Sequence, residues 1–265
     1  MDLELKGKRA IVTGGSRGIG LAIGRALAAE GCDVALVARE ARALEAARAA
    51  VAAESGRPVI GVSADTGDEE SVRAMVRAVV AGLGGVDILV NAAARPNTGA
   101  VVGIDAFDEP EFTEQVNVKV LGYLRCIREV VPLMRASGWG RIVNVSGLAA
   151  RSSGSITGTV RNAAVSALTK NLADELGHHG VNVTVVHPGM TVTERTQEML
   201  ALRAERTGVP VAEVEKQLGA SVSIGRLVTA EEVASVVAFL ASPRSVAING
   251  DAIVVSGGAV GPIYY

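Results

Sequence analysis

The sequence has few cysteines, little net charge and no long apolar run, and each absence excludes a class of protein. Its two cysteines, Cys32 and Cys126, are too few and too isolated for a disulfide framework or a thiolate metal site, so we expect reduced core thiols and no bound metal. A formal net charge of −2 gives no field that would attract nucleic acid or an anionic membrane. We therefore expect neither of those partners.

The apolar runs are also too short for a membrane protein, because none approaches the ~18 residues that a transmembrane helix needs. The first apolar run, which predicts a strand, begins at Arg9 and leaves no room for a signal peptide, so we predict a cytoplasmic protein. The length of 265 residues and the hydrophobic content of 49% suffice for one α/β domain. No linker or repeat divides the chain, and we predict a single domain over residues 1–265.

A strand, a glycine-rich turn and a helix follow one another at the start of the chain. The apolar run from Arg9 to Thr13 predicts the strand, and the helical spacing from Leu21 to Glu30 predicts the helix. Glycines let the turn bring its backbone amides close to a pyrophosphate, whose charge the helix N-terminus also favours. This context favours a dinucleotide-binding turn over an ordinary glycine turn. We predict cofactor contacts from Gly14, Ser16, Arg17, Gly18, Ile19 and Gly20.

Apolar runs then alternate with helical patterns along the rest of the chain. This alternation predicts an α/β fold of the Rossmann type, with a doubly wound parallel sheet and a ligand site at the carboxyl ends of its strands. The predicted later strands are Asp33 to Ala38, Val59 to Ser63, Val86 to Asn91, Arg141 to Ser146, Val181 to His187 and Ala252 to Val255.

One segment interrupts the alternation before the last helix and strand. Residues 193–223 form a charged stretch with a further helical pattern around Val211 to Leu218. An insertion near the carboxyl ends of the strands can cover a ligand, so we predict that this segment covers the substrate.

These segments together resemble a short-chain dehydrogenase/reductase of the single-domain type, over nearly the whole chain. The matching segments are the turn from Thr13 to Gly20, Asp65, Asn91-Ala-Ala-Ala94, Asn117 in Val-Asn-Val-Lys, Gly140 to Ser146, Pro188-Gly189 with Thr193, and the final strand from Ile248 to Gly258.

The resemblance implies an oxidoreductase and gives several residues a role. It implies that Asp65 lies beside an adenine, that Asn91 and Ala92 contact the cofactor, and that Pro188, Gly189 and Thr193 close on the nicotinamide. It also implies that Asn117 supports a proton-relay water and that Ser146 is the catalytic serine. Family members often form tetramers, so we expect a homotetramer or homodimer that pairs through the helices around residues 117–135 and 163–176.

The end of the second strand indicates which cofactor is used. An acidic residue there would favour NAD, because a carboxylate binds the 2′-hydroxyl of the adenosine ribose. Arg39 lies there instead, and Arg17 lies in the glycine turn, so two guanidinium groups could bind a 2′-phosphate. Either arginine could instead cap a helix or face solvent. We predict NADP(H) in preference to NAD(H).

The sequence lacks the Tyr-x-x-x-Lys pair that the family carries on the helix after the serine strand. Alignment on Ala163 to Leu176 places Gly158 at the tyrosine position and Asn162 at the lysine position. The chain has three tyrosines, at positions 123, 264 and 265, and none is followed by lysine four residues later. Glycine cannot transfer a proton, and Asn162 could hydrogen-bond a ribose but brings no positive charge.

Several residues could take over part of the lost chemistry. Ser146 could polarise a substrate oxygen or serve only as a turn former. Arg161, next to Asn162, could orient an anionic substrate, although arginines more often lie on a helix surface. His187 could act as a base, but its place before a Pro-Gly pair is more typical of strand-end packing. Tyr264 or Tyr265 could supply a phenol to a neighbouring subunit.

Three function classes follow from this pattern. The first is an atypical NADP(H)-dependent oxidoreductase acting on a carbonyl or alcohol. The second is a non-redox enzyme on the same scaffold, such as a hydrolase, lyase or isomerase. The third is a nucleotide-binding sensor or silent subunit. We favour the first, because the cofactor motifs are intact in the sequence and only the acid and its lysine are replaced.

Overall fold

Seven parallel strands form the central sheet of the computed structural model, which describes residues 1–95 and 103–260. The strands of the described residues are Arg9–Thr13 (β1), Asp33–Ala38 (β2), Val59–Ser63 (β3), Ile88–Asn91 (β4), Gly140–Val145 (β5), Val181–Pro188 (β6), Thr191–Val192 (β7), Val228–Thr229 (β8) and Ala252–Val255 (β9). The spatial order of the central sheet is β3-β2-β1-β4-β5-β6-β9, and β7 and β8 form a separate pair.

Helices cover both faces of this sheet, as the predicted α/β class requires. Within the described residues they are Gly18–Ala29 (α1), Ala41–Ser55 (α2), Glu69–Leu83 (α3), Glu109–Val116 (α4), Gly122–Ser137 (α5), Ile156–Leu176 (α6), Glu194–Thr207 (α7), Val211–Gly219 (α8) and Ala230–Leu240 (α9). The predicted fold class is therefore confirmed.

Two apolar cores hold the layers together, one on each face of the sheet. The first packs α1, α2 and α9 against the strands, with Ile23, Leu44 and Val233 buried in it. The second packs α3, α5 and α6 against the other face and includes Met75 and Met134. Both cysteine thiols are free and buried in these cores, Cys32 in the first and Cys126 in the second.

Predicted boundaries differ from the structure mainly where a tertiary contact sets them. Helix α1 begins at Gly18, within the glycine turn, rather than at Leu21. Strand β4 begins at Ile88 rather than Val86, because Asp87 before it turns its carboxylate to the backbone amide and guanidinium of Arg9.

A π-helical turn, Asn117–Leu121, joins α4 to α5 without a break in the helical backbone. The amide of Gly122 donates to the carbonyl of Asn117, so this turn holds one residue more than an α-helical turn. The extra residue rotates the side chains on either side of it relative to one another. Such turns are often found at functional sites.

Candidate active site

A cleft with a volume of about 550 Å³ lies at the carboxyl ends of β1, β2 and β4. The strand order reverses between β1 and β4, which is where open α/β sheets bind their ligands. Many of the residues predicted to bind a cofactor line this one cleft: Gly14, Ser16, Arg17, Gly18, Ile19, Gly20, Arg39, Asp65, Ala92 and Thr193.

The glycine-rich turn that lines the cleft packs too closely against neighbouring backbone for a larger residue at two of its positions. Gly14 has a φ of +69°, and a Cβ there would lie 2.9 Å from the carbonyl oxygen of Ala92. A Cβ on Gly20 would collide with the carbonyl of Gly14. Arg17, the N-cap of α1, makes no side-chain capping bond, so its side chain leaves the helix N-terminus free for a phosphate. These observations fit the pyrophosphate of a dinucleotide.

At the end of β2 the cleft presents a guanidinium group rather than a carboxylate. Arg39 is exposed, and its Nη1 lies 3.9 Å from Oδ2 of Asp65. The neighbouring Glu40 also lines the cleft, but its carboxylate accepts from the amides of Arg42 and Ala43 and caps α2. Arg39 is thus the side chain at this strand end that remains available to a ribose substituent.

Asn117, for which the resemblance implied support of a proton-relay water, contacts the loop after β3 and helix α5 in the structure. Its side-chain amide donates to the carbonyl of Gly67 over 3.3 Å, near Asp65. Its backbone carbonyl accepts from the guanidinium of Arg125 at 3.3 Å. The π-helical turn directs Asn117 toward the loop after β3, so it makes no hydrogen bond with Ser146 among the described residues.

Ser146 lies directly after β5 and is nearly fully buried. Its hydroxyl donates to the backbone carbonyl of Asn162 at 3.0 Å and lies 3.4 Å from Oδ1 of the same residue. The structure therefore brings together these two sequence-predicted residues, from β5 and α6.

Gly158 and Asn162 lie one helical turn apart on the buried face of α6. Ser155 caps this helix by accepting from the amide of Gly158 at 3.1 Å. Val165 and Thr169 lie on the same buried face of α6, and Thr169 packs this face against the sheet. The two positions thus face the end of β5, where the family motif would place its tyrosine and lysine.

Arg161 lies inside the protein rather than on the helix surface, which corrects the commoner expectation for an arginine. Its Nη1 donates to the side-chain carbonyl of Gln115 and, at 3.3 Å, to the backbone carbonyl of Arg95. Its Nε is buried and has no hydrogen-bond partner within the described residues. Burial lowers the pKa of Arg161, and a partial compensation comes from Tyr123 and Glu111. Arg161 thus links α6 to α4.

Sequence reasoning missed Lys119, which lies on the π-helical turn and is 4% exposed. Its Nζ donates to the backbone carbonyl of Ser146 at 2.8 Å. One signal was available in the sequence, because a single lysine stands within an otherwise apolar run, Val118 to Leu121. Its burial could not be read from that pattern alone.

His187 has both ring nitrogens engaged and is 1% exposed. Its Nδ1 lies 2.9 Å from the carbonyl of Gly147, which can only accept, so Nδ1 carries the proton. Its Nε2 lies 3.3 Å from the hydroxyl of Ser166. Burial lowers the pKa of this imidazole. These contacts match strand-end packing.

The remaining predicted residues lie beside the cleft or beyond the described chain. Asn91 is buried and donates to Asn144 at 3.0 Å, while its Oδ1 has no partner in residues 1–95 and 103–260. Pro188 ends β6, and a Cβ on Gly189 would meet Ser256. Thr193 caps α7 and lies against Gly18 across the cleft. Tyr264 and Tyr265 fall outside the described residues.

Comparison with known proteins identifies relatives along nearly the full chain. A family model described as enoyl-(acyl carrier protein) reductase matches residues 14–260. Short-chain reductase protein NovJ of Streptomyces niveus is 35% identical over 250 residues, which cover 94% of this chain and 92% of that protein. None of the helices in the described part of the chain is long and apolar enough to cross a bilayer.

Solved structures with the same fold hold either nicotinamide cofactor. L-sorbose reductase from Gluconobacter frateurii, complexed with NADPH and L-sorbose, superposes with a TM-score of 0.93 at 30% identity and covers 99% of this chain and 100% of its own. An NAD⁺-bound xylitol dehydrogenase superposes with a TM-score of 0.87 at 28% identity, over 96% of this chain and 100% of its own.

Proposed function

The chain belongs to the short-chain dehydrogenase/reductase family, and we propose that it is an NADP(H)-dependent oxidoreductase acting on a carbonyl or alcohol substrate. The observation that carries the proposal is the glycine turn that lines the cleft, where Gly14 and Gly20 pack so closely against the backbone of Ala92 and of Gly14 that neither position has room for a Cβ. A dinucleotide bound there supplies hydride transfer.

Arg39 supports NADP(H) as the cofactor. It lines the cleft at the end of β2, is exposed, and can bind a 2′-phosphate through charge-assisted hydrogen bonds. Arg17, in the glycine turn, lines the same cleft. The acid at this strand end, Glu40, is used to cap α2. NADPH is also the cofactor of the sorbose reductase with the same fold.

The active site is atypical, since Gly158 and Asn162 occupy the positions of the family's tyrosine and lysine. We assign to Ser146 the hydrogen bond that orients the substrate oxygen, and to Asn162 the contact to the nicotinamide ribose. Arg161 keeps α4 and α6 in register through Gln115. Holding hydride donor and acceptor together accelerates the reaction even where the tyrosine acid is absent.

The segment of residues 193–223 is proposed to cover the substrate. Thr193, its first residue, already lies against Gly18 at the cleft. Helix α7 of the segment exposes Met199 and Leu202, and helix α8 exposes Val211, among charged side chains. Such a surface suits a ligand with both apolar and polar groups.

We also propose that the chain pairs with a second copy through α5 and α6. A groove of about 650 Å³ runs between these helices. Leu121 and Leu124 are exposed there beside Val131 and Leu172, and Arg128 and Glu175 stand at the charged rim. An apolar centre with a charged rim is the usual pattern of a protein interface.

Calorimetric binding of NADPH and NADH, followed by absorbance assays on polyols, ketoses and other carbonyl compounds, tests the proposal. We expect tighter binding of NADPH and its oxidation with at least one carbonyl substrate. Binding without oxidation of any substrate would instead favour a non-redox enzyme or a nucleotide sensor. Failure to bind either cofactor would contradict the cofactor assignment itself.

A further inference from the structure

Lys119 is a buried amine in the active site for which the proposed function has no role so far. Its side chain lies inside the protein on the π-helical turn, beside Val118, which lines the cofactor cleft. Its Nζ makes one hydrogen bond among the described residues, to the backbone carbonyl of Ser146. An amine has further hydrogens and a lone pair, so a single bond leaves it able to exchange a proton.

Burial and a nearby positive charge both favour the neutral form of Lys119. Burial lowers the pKa of the Lys119 ammonium well below its ordinary value, and the positive charge of Arg161 on α6 lowers this pKa further. The other titratable group that faces it is His187 on β6, whose own pKa is lowered in part by Lys119. Within residues 1–95 and 103–260 no carboxylate lies within ion-pair distance of Lys119.

Glu111 is the acidic residue that acts on Arg161, and within the described residues it forms no ion pair with Arg161 or Lys119. Glu111 accepts from the side chain of Gln115, and Gln115 in turn accepts from Arg161. Glu111 therefore stabilises the charge of Arg161 rather than that of Lys119. Arg161 keeps its proton under all ordinary conditions, so Lys119 is the member of the pair that can change its charge.

We infer that Lys119 exchanges the proton with the substrate oxygen in this site, in place of the tyrosine that α6 lacks. The inference rests on the proposed oxidoreductase function. Ser146 lies between the π-helical turn and α6. Its backbone carbonyl accepts from the Lys119 amine, and its hydroxyl donates to the backbone carbonyl of Asn162. The Lys119 amine therefore bonds to the backbone of the same residue whose hydroxyl we assign to the substrate oxygen.

The proton and electrons balance in either direction. In oxidation, the alcohol carbon loses a hydride to the bound nicotinamide and the alcohol oxygen loses its proton to the Lys119 amine, which leaves a carbonyl and an ammonium. The ammonium then releases its proton to water. In reduction, the carbonyl carbon receives the hydride while the carbonyl oxygen takes a proton from the Lys119 ammonium. Because burial lowers the pKa of Lys119, its ammonium gives up a proton more readily than that of an exposed lysine.

NMR of the wild-type protein tests the protonation state of Lys119 without any assay of activity. The chain has five lysines, Lys6, Lys8, Lys119, Lys170 and Lys216, so a sample labelled with ¹³C at lysine Cε gives a simple spectrum. The Lys119→Met variant assigns the resonance. We expect the Lys119 signal to titrate well below the other four. Titration together with the exposed Lys170 would overturn the inference.

Steady-state kinetics then test whether Lys119, the group followed by NMR, takes part in the reaction. In the oxidation direction, kcat/KM should fall at low pH along a limb that follows the NMR titration of Lys119. Lys119→Met should lower kcat by ~10²- to 10⁴-fold and remove this limb, with NADPH affinity unchanged. Lys170→Met, on the exposed side of α6, should change neither. A limb that persists in Lys119→Met would contradict the inference.

Exchanging the side chains at positions 119 and 162 tests whether the reaction needs the amine itself or only the packing around it. Lys119→Asn should lose activity as Lys119→Met does, and Lys119→Asn with Asn162→Lys should recover part of it, because an amine again lies beside Ser146. Equal loss in both would indicate a positioning role only, and would overturn the inference. If the wild type turns over no alcohol or carbonyl, the proposed function fails and the inference with it. If turnover occurs but Lys119 titrates normally, only the inference fails.

Discussion

The hydroxyl of Ser146 donates to the backbone carbonyl of Asn162 over 3.0 Å, and this bond joins the end of β5 to the buried face of α6. This bond engages the single hydroxyl hydrogen of Ser146, which must leave the Asn162 carbonyl before it can be donated to a substrate oxygen. Under the proposed function, the bond holds the hydroxyl at the end of β5 until a carbonyl or alcohol binds.

Replacing Ser146 by alanine should remove this orienting hydrogen bond. We expect Ser146→Ala to lower kcat by ~10²- to 10³-fold, as loss of a preorganised hydrogen-bond donor does elsewhere. NADPH affinity should remain as in the wild type, because Ser146 does not line the pyrophosphate end of the cleft. Ser235→Ala, on the exposed face of α9, is the matched control. A variant as active as that control would show that the hydroxyl is dispensable.

Restoring the family pair tests whether its absence limits the rate. Gly158→Tyr with Asn162→Lys places a phenol and an amine one turn apart on α6, and we expect turnover of the same substrate to rise by ~10²-fold or more. Each single variant should gain less, since the phenol needs the nearby charge. A tyrosine can clash in a pocket shaped without one, so thermal unfolding of the double variant is measured first. A folded variant without any gain would reject the idea.

Arg39 should set the preference for NADP(H). We expect Arg39→Asp to weaken NADPH binding by ~10- to 100-fold, because a charge-assisted hydrogen bond is lost and a repulsive carboxylate replaces it. NADH binding should stay equal or become tighter. Calorimetry on both cofactors gives the two affinities, with Arg77→Ala on the exposed face of α3 as the control. An unchanged NADPH affinity would place the 2′-phosphate elsewhere.

The groove between α5 and α6 should be a subunit interface. We expect Leu124→Arg to shift the protein toward monomer, because it introduces a charge at the apolar centre of the groove. Light scattering coupled to gel filtration gives the mass directly. Ile104→Arg, at an exposed apolar residue outside the groove, should leave the mass unchanged. A wild type that is monomeric at all concentrations would contradict the proposed pairing.

The contact between Arg9 and Asp87 should contribute stability that depends on pH. Burial raises the pKa of Asp87, but hydrogen bonds from the side chain and backbone of Arg9 outweigh burial and hold this pKa below its ordinary value. A lowered folded-state pKa contributes stability above the unfolded-state pKa of ~3.9, and this contribution is lost as pH falls through the folded-state value.

Arg9→Met should therefore destabilise the protein by ~2 kcal/mol at neutral pH, a value reduced from that of a fully buried pair because Arg9 is partly exposed. Urea unfolding at neutral pH and at pH ~3 measures it, and the difference from wild type should shrink at the lower pH. Arg244→Met, which breaks the exposed ion pair with Glu4, should cost less than ~0.5 kcal/mol. An equal loss at both pH values would contradict the assignment.

Local patterns predicted most of the fold. Strands β2, β3 and β9 begin and end at the predicted residues, because each is a mainly apolar run bounded by polar or turn residues. The glycine turn was predictable for the same reason, since Gly14 and Gly20 must lack a Cβ wherever a strand and a helix are joined so tightly. The second helical pattern of the inserted segment also matches α8.

The active-site contacts were less predictable, because they depend on which side chains of each helix point into the protein. The relay-water role that sequence alignment gave Asn117 stays a prediction, whereas the donation of its side chain to Gly67 and the bond from Lys119 to the Ser146 carbonyl appear only in the structure. One extra residue in a helical turn leaves no clear sequence signal. Arg161 was expected on the helix surface for a similar reason, since a preference for the surface says nothing about which face of α6 packs inward.

The sequence by itself determined the family, the order of strands and helices, the cofactor turn and the absence of the tyrosine and lysine pair, because each of these depends on residue types at fixed spacing along the chain. Only the tertiary structure decided which side chains meet at the end of β5. Burial of Lys119 and Arg161 without adjacent carboxylates arises from the packing of α4, α5 and α6 against the sheet, and the desolvation that changes the chemistry of Lys119 exists only once those elements have packed.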